Sequence, residues 1–214
     1  MSCYEITDNV LNFLNLVAVI GLALGGFNIW KKQQILIEKH NLARELLKSV
    51  HLLRKRVEYL RSPFMSAGEI ALGFKTFDDL PNDLDIRQKQ DLGEVGAYFE
   101  RWKGIAEIGS EFETLKVEAR VVFGEEAENV FNGLDKIIRD IKIAIIMYAD
   151  YKKALVYESI VPITDEQLKH YMKDLMQGYS AIDSEEDPID KRLSKEIKDI
   201  EDFLQKFLKL RDNK

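Results

Sequence analysis

An uncharged stretch over residues 10–30 constrains the fold of this chain more than any other feature. At about 1.5 Å of rise per residue, a helix over these 21 residues would be roughly 31 Å long, which matches the hydrocarbon core of a bilayer. A core helix of a soluble domain seldom lacks a polar stripe over such a length. The stretch therefore predicts a transmembrane helix, with a fully buried core helix as the alternative.

The charges on either side of this segment predict its orientation. Glu5 and Asp8 precede it, whereas Lys31 and Lys32 follow it directly. A cleavable signal peptide would carry basic residues before its apolar run, so this alternative is disfavoured. Because basic residues stay on the cytoplasmic side of a membrane, we expect residues 1–9 to lie outside the cell and the rest of the chain in the cytoplasm.

Small residues line one face of the predicted membrane helix. Gly21 and Gly25 form a G-x-x-x-G pattern, and helical spacing places Ala18 and Asn28 on the same face. Small side chains let two helices approach closely, and an amide can bond across the contact. The face predicts a homo-oligomer. In the alternative the glycines have no role, since glycine is common in membrane helices.

Composition predicts an all-α protein. Hydrophobic residues make up 46% and charged residues 32% of the 214 residues, with only four prolines, and strand signals are absent. The net charge of −6 is unevenly distributed: residues 31–61 carry nine basic against three acidic side chains, and residues 62–214 carry a net charge of −10. Cys3 is the single cysteine, which excludes an internal disulfide and a cysteine-based zinc site.

Residues 31–61 predict a basic amphipathic helix next to the membrane. Its apolar residues from Ala43 to Leu60 recur at the spacings of three and four that are typical of coiled coils. Its basic face would lie near anionic lipid headgroups or form an ordinary solvated surface. This face comprises Lys31, Lys32, Lys39, Arg44, Lys48 and Lys55.

The remainder predicts a loop over 62–84 with one short helix at 67–73, an acidic helical bundle over 85–182, and an acidic linker with a C-terminal helix over 183–214. Gly124 is expected to end one helix, Thr164 with Gln167 to form a capping box, and Asp187 with Pro188 to begin the last helix. The expected architecture is a bundle of about four to five helices, the first continuous with or close to the membrane helix.

One segment resembles a known group of proteins. The sequence RSPFMSAGE at residues 61–69, preceded by residues 43–60, is similar to a segment of uncharacterised bacterial proteins that have an N-terminal membrane helix and a helical cytoplasmic region. The resemblance implies a bacterial origin, and hence a single-pass location in the inner (plasma) membrane. It implies no activity.

Motifs for metal, nucleotide or hydrolase chemistry are absent from the sequence, so no cofactor and no metal site are predicted. Arg44 and His51 form an R-x6-H pattern that resembles the active-site motif of HEPN-type ribonucleases. The resemblance implies a general acid or base at His51 and a phosphate contact at Arg44. The pattern departs from the family at Glu45 and in its place beside the membrane, and a solvated basic face is the alternative.

The function that the sequence predicts is that of a membrane-anchored interaction or assembly module, acting by recruitment or oligomerisation at the cytoplasmic face. An accessory or effector role in bacterial defence or stress response fits this prediction, and no catalytic residue is assigned. Its expected partners are the lipid bilayer, further copies of the chain and a cytosolic protein. Nucleic acid is disfavoured as a partner because residues 62–214 are acidic. The alternative function is a membrane-tethered HEPN-like ribonuclease that uses Arg44 and His51.

Overall fold

The computed structural model describes residues 3–77, 83–157, 159, 163–177 and 187–209, with side chains from Asn15 onward. This part of the chain contains six helices and no strand, which confirms the all-α prediction. Most of the predicted acidic linker, at 183–186, lies outside the described residues. The helices are α1 (Cys3–Arg61), α2 (Ala67–Phe74), α3 (Ile86–Phe123), α4 (Glu125–Val156), α5 (Asp165–Leu175) and α6 (Pro188–Leu208).

Local signals set most of the helix ends, as the sequence predicts. Thr164 and Gln167 form the expected capping box at the start of α5. The Asp187 side chain accepts hydrogen bonds from the backbone N–H groups of Ile189 and Asp190 at the start of α6. Gly124 separates α3 from α4 with φ of 89°, a conformation that side chains with a Cβ rarely adopt.

Four long helices form an up-and-down bundle around one core. α1 packs beside α3 and α6, and α4 packs beside the same two helices. The ion pairs give their direction: Lys152 meets Asp91 and Lys116 meets Asp135, so α3 and α4 are antiparallel. α5 packs on α4. Edge-to-face aromatic pairs lie in the core between α3 and α4, namely Tyr98 with Tyr148 and Phe112 with Phe131.

α1 is one unbroken helix of 59 residues, about 88 Å long, where the sequence predicts a membrane helix and a basic helix that adjoin. Its part from Leu42 to Leu60 carries a buried stripe in the bundle core. Residues 15–33 are exposed on every side of the helix. This half of α1 therefore projects beyond the bundle without packing on another described element.

Within the described part of the chain, no helix has a stretch that is both sufficiently long and sufficiently apolar to traverse a lipid bilayer. The predicted transmembrane helix over 10–30 is thus not supported by the structure. Side chains are described for residues 15–30 of the uncharged run, which ends before Lys31. Residues 10–14 of the prediction lie outside the described side chains.

α2 occupies the first part of the predicted loop over 62–84, and it packs on α3 through glycines. A Cβ added at Gly96 would lie 2.7 Å from the Gly73 Cα and closer still to the Gly73 carbonyl group. A Cβ at Gly93 would lie 2.6 Å from the backbone oxygen and from the Cγ2 of Ile70. The two helices therefore touch backbone to backbone, a contact that only glycine allows.

Two buried arginines connect the helix ends. The Arg61 side chain is 1% exposed, and it donates to Asp190 at 2.7 Å, to Asp187 at 2.8 Å, and to the backbone oxygen of Asp174 at 2.8 Å. It thereby joins the end of α1 to the end of α5 and the start of α6.

Arg101 plays the corresponding role for the turn between α1 and α2. It donates to the backbone oxygens of Ser62 at 2.9 Å and Phe64 at 2.6 Å, and to the Glu69 carboxylate at 2.9 Å. This hydrogen bond from Arg101, helped by another from the Ser66 backbone, lowers the pKa of Glu69 to about 2. The turn is therefore held in place by a buried cation on α3.

Candidate interaction surfaces

The projecting half of α1 exposes large apolar side chains all round the helix. Leu22 is 78% exposed, and Leu24 and Ile29 are each 61% exposed. Contiguous apolar surface of this kind marks a site for a membrane or for another protein. The first candidate surface is therefore the apolar part of α1 at residues 15–30.

The predicted small-residue face lies within this surface, and no other described group lies against its glycines. A Cβ added at Gly21 or Gly25 would meet nothing within 4 Å. Twenty-five residues amount to almost seven helical turns, and each face residue precedes a fully buried core residue by this interval. The pairs are Ala18 and Ala43, Gly21 and Leu46, Gly25 and Val50, and Asn28 and Leu53. The face thus points to the side of α1 on which the bundle lies.

The six residues of the predicted basic face lie on α1. Lys31, Lys32, Arg44, Lys48 and Lys55 are exposed and Lys39 is half-buried. In the described part of the chain, no salt bridge involves Arg44, Lys48 or Lys55. Relative to Leu46, these three residues lie about 160–200° round the helix. They form a basic stripe opposite the core.

Arg44 and His51, the two residues of the R-x6-H pattern, are both exposed on α1. They lie about 10.5 Å apart along the helix axis. The His51 Nε2 lies 3.3 Å from a carboxylate oxygen of Glu201 on α6. No described feature places a phosphate between them, so the ribonuclease assignment stays a prediction.

An acidic stripe on α3 has no counterpart in the sequence prediction. Glu107, Glu111 and Glu118 are exposed, and none of them forms a salt bridge within the described residues. Their spacing of four and seven residues places them within about 40° of one another on the helix. The basic stripe Arg44, Lys48 and Lys55 has the same spacing. This shared spacing of four and seven residues is the signal from which the sequence could have predicted the acidic stripe.

An open groove of about 550 Å³ lies between α3 and α4. Lys116 donates to both Asp135 and Glu113 within it. Burial lowers the pKa of Lys116, but the two hydrogen bonds and the negative charges of both carboxylates together raise it above its ordinary value. The charges of Lys116, Asp135 and Glu113 are therefore paired with one another. Its apolar lining comprises Trp102, Ile105, Ala106, Phe112 and Ile138.

Among the described residues, no three His, Cys, Asp or Glu side chains converge as a metal site would require. In comparisons with protein-family models, with curated proteins and with solved structures, nothing matches this chain. Any function must therefore be argued from the surfaces described above.

Proposed function

We propose that this chain is a membrane-anchored helical module that recruits or assembles proteins at the cytoplasmic face of a bacterial inner membrane. The observation that carries the proposal is the all-round exposure of apolar side chains on residues 15–30 of α1. A helix that is apolar on every side is stable when it is buried in lipid or in a large protein core. The bundle of this chain leaves that half of α1 uncovered.

The charge distribution supports the proposed orientation. Lys31 and Lys32 are exposed where the apolar part of α1 ends. Lysines at such a boundary favour the cytoplasmic side, and they can contact anionic headgroups. The acidic bundle that follows would then face the cytosol. There it would present surfaces to a second copy or to a cytosolic protein.

Fractionation of the full chain after expression in bacteria tests the anchor. We expect the chain to sediment with membranes, to remain there after a high-salt wash, and to be released by detergent. A double variant, Leu22→Arg and Leu24→Arg, should reach the supernatant, because each arginine costs about 2.5–3.5 kcal/mol at the centre of a membrane helix. Leu52→Arg, at an exposed position on the bundle part of α1, is the control that should still sediment.

Recovery of the unaltered chain in the supernatant without detergent would overturn the proposal. If it were recovered there as a large oligomer, its apolar surface would be assigned to other copies instead. Cys3 is the only cysteine, so it reports on orientation. A thiol reagent that cannot cross membranes should label it in intact spheroplasts, and labelling only after lysis would reverse the orientation.

The small-residue face is the proposed contact within the membrane. Gly21→Ile should reduce chemical crosslinking between copies in membranes if close approach of helices there contributes to assembly. Unchanged crosslinking would remove this face from the proposal while leaving the anchor intact.

A further inference from the structure

We propose that a second copy of this chain docks on the face formed by α1 and α3, through two opposite stripes of charge. The basic stripe Arg44, Lys48 and Lys55 and the acidic stripe Glu107, Glu111 and Glu118 lie on neighbouring helices. The inference rests on the proposed function in one respect only: anchoring gives all copies the same orientation relative to the membrane.

The two stripes lie at the same height along the bundle. The Arg56 Cδ lies 3.4 Å from the position of a Cβ on Gly104, and Arg101 bonds the backbone oxygen of Leu60. A residue n on α1 is therefore level with about residue 160 − n on α3. Lys48 is then level with residue 112, beside Glu111, and the other pairs differ by two residues, about 3 Å along the axis.

Symmetry brings opposite charges together when copies stand side by side. A twofold axis parallel to the helices sets α3 of one copy against α1 of the other, and α1 against α3. Such an axis keeps the heights of all residues unchanged. Lys48 of each copy therefore faces Glu111 of the other, Lys55 faces Glu107, and Arg44 faces Glu118.

Among the residues that the structure describes, the same charges have no such partner inside one chain. All six side chains are exposed, and within the described residues none of them forms an ion pair. The chain carries a net charge of −6, so two copies repel each other in most relative positions. The α1–α3 face is a position in which local attraction opposes this repulsion.

Charge reversal tests the contact in the full chain. The triple variants Arg44→Glu/Lys48→Glu/Lys55→Glu and Glu107→Lys/Glu111→Lys/Glu118→Lys each put like charges opposite each other, whereas the sixfold variant restores opposite charges. Exposed pairs are individually weak. Three pairs in each of two symmetric contacts should together change association by at least about tenfold.

Disulfide crosslinking in membranes measures association. One tagged chain carries Lys48→Cys and a differently tagged chain carries Glu111→Cys, both with Cys3→Ser, and we expect a mixed disulfide dimer. Lys136→Cys, exposed on α4, replaces Glu111→Cys as the control and should give little product.

In chemical crosslinking of the charge-reversed chains, we expect loss of the dimer in both triple variants and its return in the sixfold variant. Equal crosslinking in all four forms would overturn the inference, as would a sixfold variant that remains monomeric. Sedimentation of every variant with membranes is measured in parallel. If crosslinking does not follow the charge reversals while every variant still sediments with membranes, the docking face alone is rejected. If the unaltered chain does not sediment with membranes, the anchor is rejected.

Discussion

The backbone contact between α2 and α3 can be tested by one substitution, Gly96→Ala. An alanine at Gly96 would place its Cβ 2.7 Å from the Gly73 Cα, and ordinary contact begins at 3.4 Å. The helices would therefore have to separate by at least 0.7 Å, and by more to clear the Gly73 carbonyl group. Overpacking of this kind costs about 1–3 kcal/mol, whereas alanine in place of glycine stabilises a helix by about 1 kcal/mol.

The expected net effect of Gly96→Ala is a loss of up to about 2 kcal/mol in the free energy of unfolding, which lowers the Tm by up to several degrees in a domain of this size. Gly109→Ala is the matched control, because it lies on the same helix and its Cβ would meet nothing within 4 Å. It should raise the stability by up to about 1 kcal/mol. Thermal unfolding of the detergent-solubilised chain, followed by circular dichroism at 222 nm, measures both. Two variants of equal stability would refute the proposed backbone contact.

Three further predictions concern single side chains. Arg61→Met should lower the free energy of unfolding, measured with a chemical denaturant, by about 3–5 kcal/mol, since Asp187 and Asp190 lose their buried cation. Arg54→Met, at an exposed ion pair, should lower it by less than about 0.5 kcal/mol. Because the pKa of Glu69 is lowered to about 2, its ionised carboxylate stabilises the fold above about pH 4.5, by about 1 kcal/mol after screening. This stabilisation should be lost as the pH falls towards 2. Glu69→Gln should remove that part of the pH dependence. If the chain is a ribonuclease, His51→Ala should relieve toxicity on overexpression, and toxicity that persists in a folded variant rejects this function.

Local sequence signals were sufficient for most of the helix boundaries. The break at Gly124, the capping box at Thr164 and the start at Pro188 each depend on residues within a few positions of one another. Such signals can be read from the chain alone, because the groups that satisfy a helix end are its near neighbours.

The contacts that the sequence did not predict join distant parts of the chain. Arg101 bonds the turn at Ser62–Phe64, nearly forty residues earlier, and Gly96 meets Gly73. A buried arginine and a helix-packing glycine look, in sequence, like a surface charge and a weak point in a helix. The acidic stripe on α3 was missed for a related reason. Acidic residues are frequent throughout residues 62–214, and only the packing of the helices identifies those that share an outer face.

The continuity of α1 fixes how the side chains of its two halves are oriented relative to each other about the helix axis. Because the helix is unbroken from Cys3 to Arg61, the orientation of Gly21 and Gly25 about the axis determines that of Lys48, on nearly the opposite side. A pair of copies joined through Lys48 would thus turn its glycines outward, towards neighbouring lipid. Each pair would then present two glycine faces within the membrane, one on each copy.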